Sequence, residues 1–233
     1  MTHPVAVITG GTGGLGTALA TRFVARGYRL AVTYLVPDEA AAFEADLDLD
    51  DDRLLLKRVN ATEASEIDAF MREARTRFGS IDALAGLVGG WAGGRDVVDT
   101  DDVRFERMID LNLRSAFYTV RAAIPHMSNG GRILLVGSRA SLDGAPGQAA
   151  FNIAKAGVVA LATTAAQEVE HAGIAVNVIM PSVIDTPTTR ATLPYADYVD
   201  WPTPEEIASV AEFMLSDASS VISGATIPVY GRA

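Results

Sequence analysis

The sequence contains no cysteine, few aromatic residues and a deficit of basic side chains. Aromatic residues make up 7% of the 233 positions, and 19 basic residues stand against 29 acidic ones, for a formal net charge of −10. Without cysteine the chain can form no disulfide, zinc–thiolate centre or cysteine nucleophile. A net negative field repels phosphate, which argues against nucleic acid and anionic membranes as partners. The expected partner is a small-molecule substrate.

The sequence also lacks the segments that target a chain to membranes or to secretion. No unbroken apolar run reaches the roughly 18 residues of a membrane span. The first residues show no charged segment followed by an apolar one, as a secretion signal would. We therefore expect a cytoplasmic protein. A chain of this length can bury roughly 70% of its unfolded surface in one core, so a single domain over residues 1–233 is expected.

Short β-branched segments alternate with amphipathic segments along the chain. The predicted strands are 5–9, 30–34, 54–59, 81–88, 132–136, 174–180 and 226–229. The predicted helices are 14–26, 63–78, 102–127, 150–171 and 204–215. This alternation predicts an α/β fold, a doubly wound domain with a seven-stranded parallel sheet. The acidic segment 46–52 is expected to be a solvated loop, and we predict no metal site.

A glycine-rich segment directly follows the first predicted strand. It reads Thr9-Gly10-Gly11-Thr12-Gly13-Gly14-Leu15-Gly16 and leads into a predicted helix. Missing side chains let the backbone approach a pyrophosphate, and a helix N-terminus offers free N–H groups with partial positive charge. The pattern predicts a dinucleotide site. Its expected contacts are Thr9, Gly10, Thr12, Gly14, Leu15 and Gly16.

With this loop the chain resembles the short-chain dehydrogenase/reductase family, whose Thr-Gly-x-x-x-Gly-x-Gly signature it matches over Thr9 to Gly16. The resemblance extends over the full length and implies a single Rossmann-type domain that uses a nicotinamide cofactor, NAD(P)H. It assigns further cofactor contacts to Asn60, Lys155, Pro181, Ile184 and Thr186. It assigns catalytic roles to Asn112, which would hold a catalytic water, to Ser138, which would orient the substrate, and to Lys155.

The position that the resemblance assigns to the family's catalytic tyrosine is Phe151, four residues before Lys155. In the family the tyrosine hydroxyl protonates a carbonyl oxygen as hydride arrives, and phenylalanine has no such proton. Losing a general acid costs roughly two to four orders of magnitude in rate on an unactivated ketone. An iminium or quinonoid acceptor can carry positive charge before hydride arrives. Phe151 therefore favours a planar C=N or quinonoid substrate.

Two loops resemble the dihydropteridine reductase branch of the family. One is the segment 88–94, Val-Gly-Gly-Trp-Ala-Gly-Gly, and the other begins with Ile184-Asp185-Thr186-Pro187 and continues to Trp201-Pro202. Trp91 is flanked by glycines, so its indole is available to stack on a planar heterocycle. The expected substrate contacts are Trp91, Ser138, Phe151, Asp185 and Tyr195. Asp185 is in addition a candidate proton source or iminium partner.

Three alternatives for Phe151 stay open at this point. The chain is a natural reductase of C=N groups, a carbonyl reductase or alcohol dehydrogenase whose tyrosine was replaced by engineering, or a non-catalytic NAD(P)-binding protein. The choice between NAD and NADP also stays open. Tyr34 ends the second strand where an acid or an arginine would mark the preference, although Asp38 and Glu39 tilt it toward NAD. Small and apolar residues on several faces of helix 150–171 predict a homodimer or homotetramer.

Overall fold

Seven strands run parallel in one sheet in the computed structural model, which describes residues 3–232. The strands are β1 (Val5–Thr9), β2 (Arg29–Tyr34), β3 (Leu54–Arg58), β4 (Ile81–Gly86), β5 (Met127–Val136), β6 (Ala175–Pro181) and β7 (Thr226–Val229). Their order is β3-β2-β1-β4-β5-β6-β7, and every neighbouring pair is parallel. The predicted fold class is confirmed. The strand order reverses between β1 and β4, which is where doubly wound folds bind ligands.

Helices cover both faces of the sheet and build one apolar core on each. They are α1 (Gly14–Ala25), α2 (Pro37–Leu47), α3 (Ala64–Phe78), α4 (Asp102–Ile109), α5 (Ser115–Ala123), α6 (Ala140–Asp143), α7 (Ala149–Glu168), α8 (Pro187–Thr192) and α9 (Pro204–Met214). On one face α3, α5 and α7 bury Phe70, Val120 and Val158 against the strands. On the other face α1, α2 and α9 bury Phe23, Phe43 and Ile207.

The helices of the structure differ from the sequence prediction in two places. The sequence analysis gave no helix after the second strand, yet α2 forms there with a proline at its start and Asp38 and Glu39 in its first turn, where acids suit the helix dipole. The predicted helix 102–127 is broken by a π-helical turn at Asp110–Arg114, and it ends before Met127, which begins β5. Pro125 lies in the short 3₁₀ turn between α5 and β5, where it prevents the helix from continuing.

Helix α7 is the one helix of the described chain that is long and apolar enough to cross a membrane, judged by length and composition alone. In the fold it lies against β6 and α4. Ala154, Val158 and Ala162 on its inner face are buried. A core helix of a soluble protein meets the same criterion.

A three-residue ion-pair cluster fastens the first helix to the last. The Glu212 carboxylate on α9 accepts hydrogen bonds from Nε of Arg22 at 2.5 Å and from Nε of Arg26 at 2.7 Å, both on α1. The Glu212 side chain is only 10% exposed, so this pairing is screened less than an ordinary surface ion pair. Because α1 begins at the glycine loop and α9 begins at Pro204, the cluster joins two elements whose first turns lie beside the ligand crevice.

Candidate active site

The glycine loop between β1 and α1 is closely packed, and its glycines are required for that packing. Gly10 has a positive φ of 69°, and a Cβ there would lie 3.0 Å from Cγ2 of Val88. A Cβ at Gly16 would overlap the backbone of Gly11. Gly13 precedes α1 without a side-chain cap. The first N–H groups of α1 are thus available to an anion, and the loop fits the pyrophosphate of a dinucleotide.

The end of β2 and the start of α2 meet the loop from one side. Oγ1 of Thr33 accepts the N–H of Gly10 at 2.9 Å, and the N–H of Gly11 donates to the Thr33 carbonyl at 3.0 Å. Oγ1 of Thr12 donates to Oε2 of Glu39 at 3.2 Å. This contact places a carboxylate at the glycine loop, next to the strand end where Tyr34 lies.

Asn60, the predicted adenine contact, follows β3. Its side-chain oxygen accepts the backbone N–H of Thr62 at 3.1 Å and the Thr62 hydroxyl at 2.9 Å. The backbone N–H of Asn60 donates to Oε2 of Glu66 at 2.7 Å. These bonds fix the turn after β3, so the carbonyl half of the Asn60 side chain is occupied and its amide NH₂ is the part left for a ligand.

Phe151 and Lys155 lie one turn apart on α7, as their spacing predicts. The Phe151 ring is buried together with Met108 and Ala150, and side chains from three segments pack around them. Those neighbours are Ala92, Phe105, Leu111 and Ala140. The sequence analysis missed this contribution of α4, because Phe105 and Met108 belong to a helix far from α7 in the sequence. The position expected to carry an acid is therefore part of an apolar cluster.

Lys155 is buried at the centre of the crevice. Its Nζ atom donates to the Val136 carbonyl at 2.8 Å and lies 5.9 Å from the centre of the Phe151 ring. A Cβ at Gly89 would lie 3.0 Å from this Nζ atom and 2.9 Å from Oδ1 of Asn112. Burial lowers the pKa of Lys155 from 10.5 to about 8. The site thus holds an ammonium group that gives up its proton more readily than a surface lysine.

Asn112 lies in the π-helical turn between α4 and α5 and is fully buried. Its side chain accepts the N–H of Gly90 at 3.1 Å and donates to the carbonyls of Gly90 at 2.9 Å and Met108 at 3.2 Å. Single π-helical turns within α-helices often occur at functional sites. The side chain of Asn112 therefore fixes the loop after β4, and the predicted water-holding role stays a prediction.

Trp91 follows Gly90 and lies in a loop that is fixed at both ends. A Cβ at Gly93 would lie 2.5 Å from Cζ2 of Trp91, so the indole packs directly on that glycine. The N–H of Gly94 donates to the Gly147 carbonyl at 2.9 Å, and Nη1 of Arg104 donates to the Gly93 carbonyl at 3.2 Å. The Trp91 side chain remains 49% exposed. It is thus held in place while one part of its surface stays open.

Ser138 lies just after β5, as predicted. Its Oγ atom accepts the N–H of Ala140 at 3.2 Å, and its carbonyl accepts the N–H and the hydroxyl of Ser141. The hydroxyl proton of Ser138 is not used by these bonds. The side chain can therefore donate to a substrate atom near α6.

The segment after β6 reaches back over the glycine loop. A Cβ at Gly14 would lie 3.5 Å from Cγ2 of Thr186 and 3.6 Å from Cγ of Pro204. Pro181 is buried at the end of β6, and Ile184 packs on the core below α9. Of the three predicted cofactor contacts in this segment, Thr186 therefore lies next to the glycine loop.

Asp185 is paired with Arg190, a contact that the sequence analysis missed. The Asp185 carboxylate accepts from Nε and Nη2 of Arg190 at 2.5 and 2.6 Å, and the guanidinium lies 4.1 Å from the centre of the Tyr198 ring. The hydrogen bonds from Arg190 lower the pKa of Asp185 below its usual value. An ionised, paired carboxylate is a poor proton source. Tyr195, also predicted to contact substrate, is fully exposed.

Over residues 3–232, no group of three or more histidine, aspartate or glutamate side chains could hold a metal ion. Each of the three histidines comes just before a strand. They therefore lie at the amino ends of the parallel strands, opposite the carboxyl ends that border the crevice. His3 comes before β1, His126 before β5 and His171 before β6.

Comparisons with known proteins identify relatives over nearly the whole chain. A family model described as enoyl-(acyl carrier protein) reductase matches residues 10–231. The chain is 31% identical to the 3-oxoacyl-[acyl-carrier-protein] reductase MabA of Mycobacterium tuberculosis, over 97% of this chain and 90% of that protein. It is 32% identical to the 3-oxoacyl-[acyl-carrier-protein] reductase FabG of Salmonella typhimurium, over 97% and 96%. A solved short-chain dehydrogenase/reductase from Serratia marcescens superposes with a TM-score of 0.91 at 26% identity, covering 99% of this chain and 98% of that one.

Proposed function

The chain belongs to the short-chain dehydrogenase/reductase family, and from that premise we propose that it acts in the cytoplasm as an NAD(P)H-dependent reductase of a planar C=N or quinonoid acceptor. The observation that carries the proposal is Phe151. It lies one turn from Lys155, where the family's acid is expected, and it is buried in an apolar cluster. This environment suits a flat, weakly polar acceptor, and the side chain of residue 151 has no proton to give to a ketone oxygen.

The glycine loop supports the cofactor part of the proposal. Its packing leaves no room for side chains at Gly10 or Gly16, and the start of α1 has no side-chain cap. When bound, the nicotinamide cofactor supplies the hydride. Thr186 and Ile184 would cover the nicotinamide end, and Asn60 would contact the adenine. The Glu39 carboxylate held by Thr12 repels a 2′-phosphate, so NADH is favoured over NADPH.

A second candidate is reduction of a ketone, and the relatives favour it. MabA and FabG are both named 3-oxoacyl-[acyl-carrier-protein] reductases, not dihydropteridine reductases. The two candidates make different demands on residue 151. A ketone oxygen becomes an alkoxide and needs an acid at once, whereas a cationic C=N carbon takes hydride and is neutralised. A non-catalytic NAD(P)-binding protein would reduce neither.

Steady-state oxidation of NADH and NADPH distinguishes these functions. The unaltered chain is offered quinonoid dihydropterin, a cyclic imine and a simple ketone at equal concentrations. We expect turnover of the C=N or quinonoid acceptors, and slower turnover of the ketone by about two orders of magnitude. Faster turnover of the ketone would move the function to carbonyl reduction. Cofactor binding with no turnover of any acceptor would identify a non-catalytic binder.

Trp91→Ala should weaken binding of a planar acceptor. If the exposed part of the indole stacks on the acceptor, its loss costs about 0.5 to 1.5 kcal/mol beyond the lost buried area. The loss of stacking should therefore by itself raise KM for the acceptor up to about tenfold, with an unchanged Kd for NADH. Trp91→Phe is the matched control, since it keeps an aromatic face. An equal rise of KM in both variants would remove stacking as the cause.

We also propose that the chain forms a homodimer or homotetramer through α7 and the adjoining helix α5. Ile153 on α7 and Phe117 on α5 are 52% and 44% exposed, although both are large and apolar. Covering them would remove apolar surface from water. Multi-angle light scattering at micromolar concentration should return twice or four times the 24.5 kDa chain mass. Ile153→Asp should lower that mass, and a monomeric unaltered chain would contradict the proposal.

A further inference from the structure

Reduction of a neutral C=N group needs one proton as well as one hydride, and the site must supply that proton. The question rests on the proposed function, because it assumes that an acceptor is reduced in this crevice. Phe151 has no acidic proton. The groups that could replace it are the ionisable and hydroxyl side chains at the carboxyl edge of the sheet.

Asp185 and Ser138 are poor proton sources in this structure. Asp185 is held ionised by two hydrogen bonds from Arg190. The Ser138 hydroxyl can pass a proton on, but an alcohol does not ionise at neutral pH. The three histidines lie at the amino ends of strands, on the far side of the sheet. Lys155 is the remaining acid next to Phe151.

The contacts of Lys155 leave protons free for transfer. An ammonium group has three N–H donors, and in the described part of the chain Lys155 uses one, toward the Val136 carbonyl. Its Nζ atom lies against Gly89, where a Cβ would be only 3.0 Å away, so this close approach to the loop after β4 requires glycine. The centre of the Phe151 ring lies 5.9 Å from Nζ, which is cation–π distance, so the ammonium lies directly beside the position where the family's acid is expected.

Over residues 3–232, Lys155 is paired with no carboxylate. Burial lowers its pKa to about 8. The segments packed against α7 carry charged side chains, none of which forms an ion pair with Lys155. They are Asp102, Arg104, Glu106, Arg107, Asp110 and Arg114 from α4 and the π-helical turn, Arg121 from α5, Arg132 from β5, and Arg139 and Asp143 from the α6 segment. We therefore expect the pH dependence of acceptor reduction to follow the protonation of Lys155 alone.

We propose that Lys155 is the acid of the reaction and gives its proton to the acceptor nitrogen as hydride reaches the neighbouring carbon. One N–H bond of the ammonium breaks and one N–H bond of the product amine forms. The C=N double bond becomes a single bond, and the reduced nicotinamide cofactor is oxidised by two electrons. Lys155 is left as a neutral amine and takes a proton from solvent before the next cycle.

Lysine-selective NMR tests the acid without turnover. The chain has only two lysines, Lys57 and Lys155, so protein labelled with ¹³C at lysine Cε gives two signals, assigned with Lys57→Arg. Lys57 is exposed and paired with Glu73, and it serves as the internal reference. The Lys155 signal should titrate near pH 8, also in the presence of NAD⁺. Titration of Lys155 in the ordinary lysine range, near its unshifted pKa of 10.5, would overturn the proposal.

Kinetics with a pair of acceptors tests the transfer itself. One is a cyclic imine assayed above its own pKa, which needs a proton, and the other is its N-methyl iminium, which needs none. Lys155→Arg keeps the positive charge but cannot release a proton near neutral pH. We expect kcat to fall about 100-fold more on the imine than on the iminium, because any loss of cofactor positioning lowers both rates alike. For the unaltered chain, kcat on the imine should fall above pH 8 and stay level on the iminium.

The outcomes separate this inference from the proposed function. An equal loss on both acceptors would show that Lys155 only positions the cofactor, and would overturn the inference alone. If the chain reduces ketones instead, the rates of Lys155→Arg and of the unaltered chain are compared on the ketone, above and below pH 8. Equal rates of the two proteins at both pH values would overturn the inference. Absence of turnover with every acceptor, despite cofactor binding, would contradict both. Lys155→Met, which lacks the charge, shows through the Kd for NADH whether folding and cofactor binding persist.

Discussion

Phe151→Tyr should raise the rate of ketone reduction by about 100-fold or more. The new hydroxyl extends from a ring whose centre lies 5.9 Å from the Lys155 ammonium. This ammonium lowers the pKa of the tyrosine hydroxyl, which then acts as a general acid. A general acid contributes about two to four orders of magnitude when a carbonyl oxygen must be protonated. Reduction of an N-alkylated iminium should change less than about threefold, because that reaction needs no proton. Both rates are read from NADH oxidation at saturating cofactor.

Phe151→Leu is the matched control for this variant. It keeps the residue apolar within the Met108 and Ala150 cluster and introduces no acid. We expect it to leave ketone reduction as slow as in the unaltered chain. A similar gain in both variants would mean that ring packing, not proton donation, limits the rate. A gain in neither would mean that residue 151 does not face the reacting group.

Gly14→Val should weaken cofactor binding by about 100-fold or more, which is roughly 2.8 kcal/mol. The first added atom makes ordinary contacts, at 3.5 Å from Thr186 and 3.6 Å from Pro204, so the fold tolerates it. The two methyl groups then occupy the gap between α1 and Thr186, through which the pyrophosphate would run. Calorimetry with NADH and NADPH gives the loss, and thermal unfolding should stay within about 3 °C of the unaltered chain.

Thr21→Val introduces the same side chain farther along α1. Thr21 is exposed and its hydroxyl donates only to the Thr17 carbonyl within the helix. Its Kd for NADH should equal that of the unaltered chain. Unchanged affinity in Gly14→Val would defeat the assignment of the glycine loop to the pyrophosphate.

The sheet could be predicted from the sequence because each strand is a short local pattern. Every predicted strand is present, and the glycine loop has the strand and helix that its pattern requires. The break at Asp110–Arg114 could not be predicted, because the apolar spacing of the two flanking helices continues through it. The helix α2 was missed because its apolar side chains, such as Phe43, are few and its charge is typical of a solvated loop.

The active-site residues were predicted individually, but their contacts were not. The spacing of Phe151 and Lys155 on one helix is a local pattern, and it placed them correctly. The bonds from Asn112 to Gly90 and from Gly94 to Gly147 join residues 22 and 53 positions apart, and nothing in the local sequence indicates them. The pairing of Asp185 with Arg190 spans a turn that only the folded loop brings together.

The ion pairs between α1 and α9 affect the order in which the protein can fold during synthesis. Arg22 and Glu212 are separated by 190 positions, so the helix that carries the glycine loop is translated early and its partner almost last. Until α9 leaves the ribosome, the apolar side chains of α1 lack the Ile207 and Ala211 face that covers them. A nascent chain therefore exposes this surface throughout most of its translation, which is when chaperones bind such surfaces. The packing of α9 on the helix that begins at the glycine loop is therefore completed only after most of the chain has been translated.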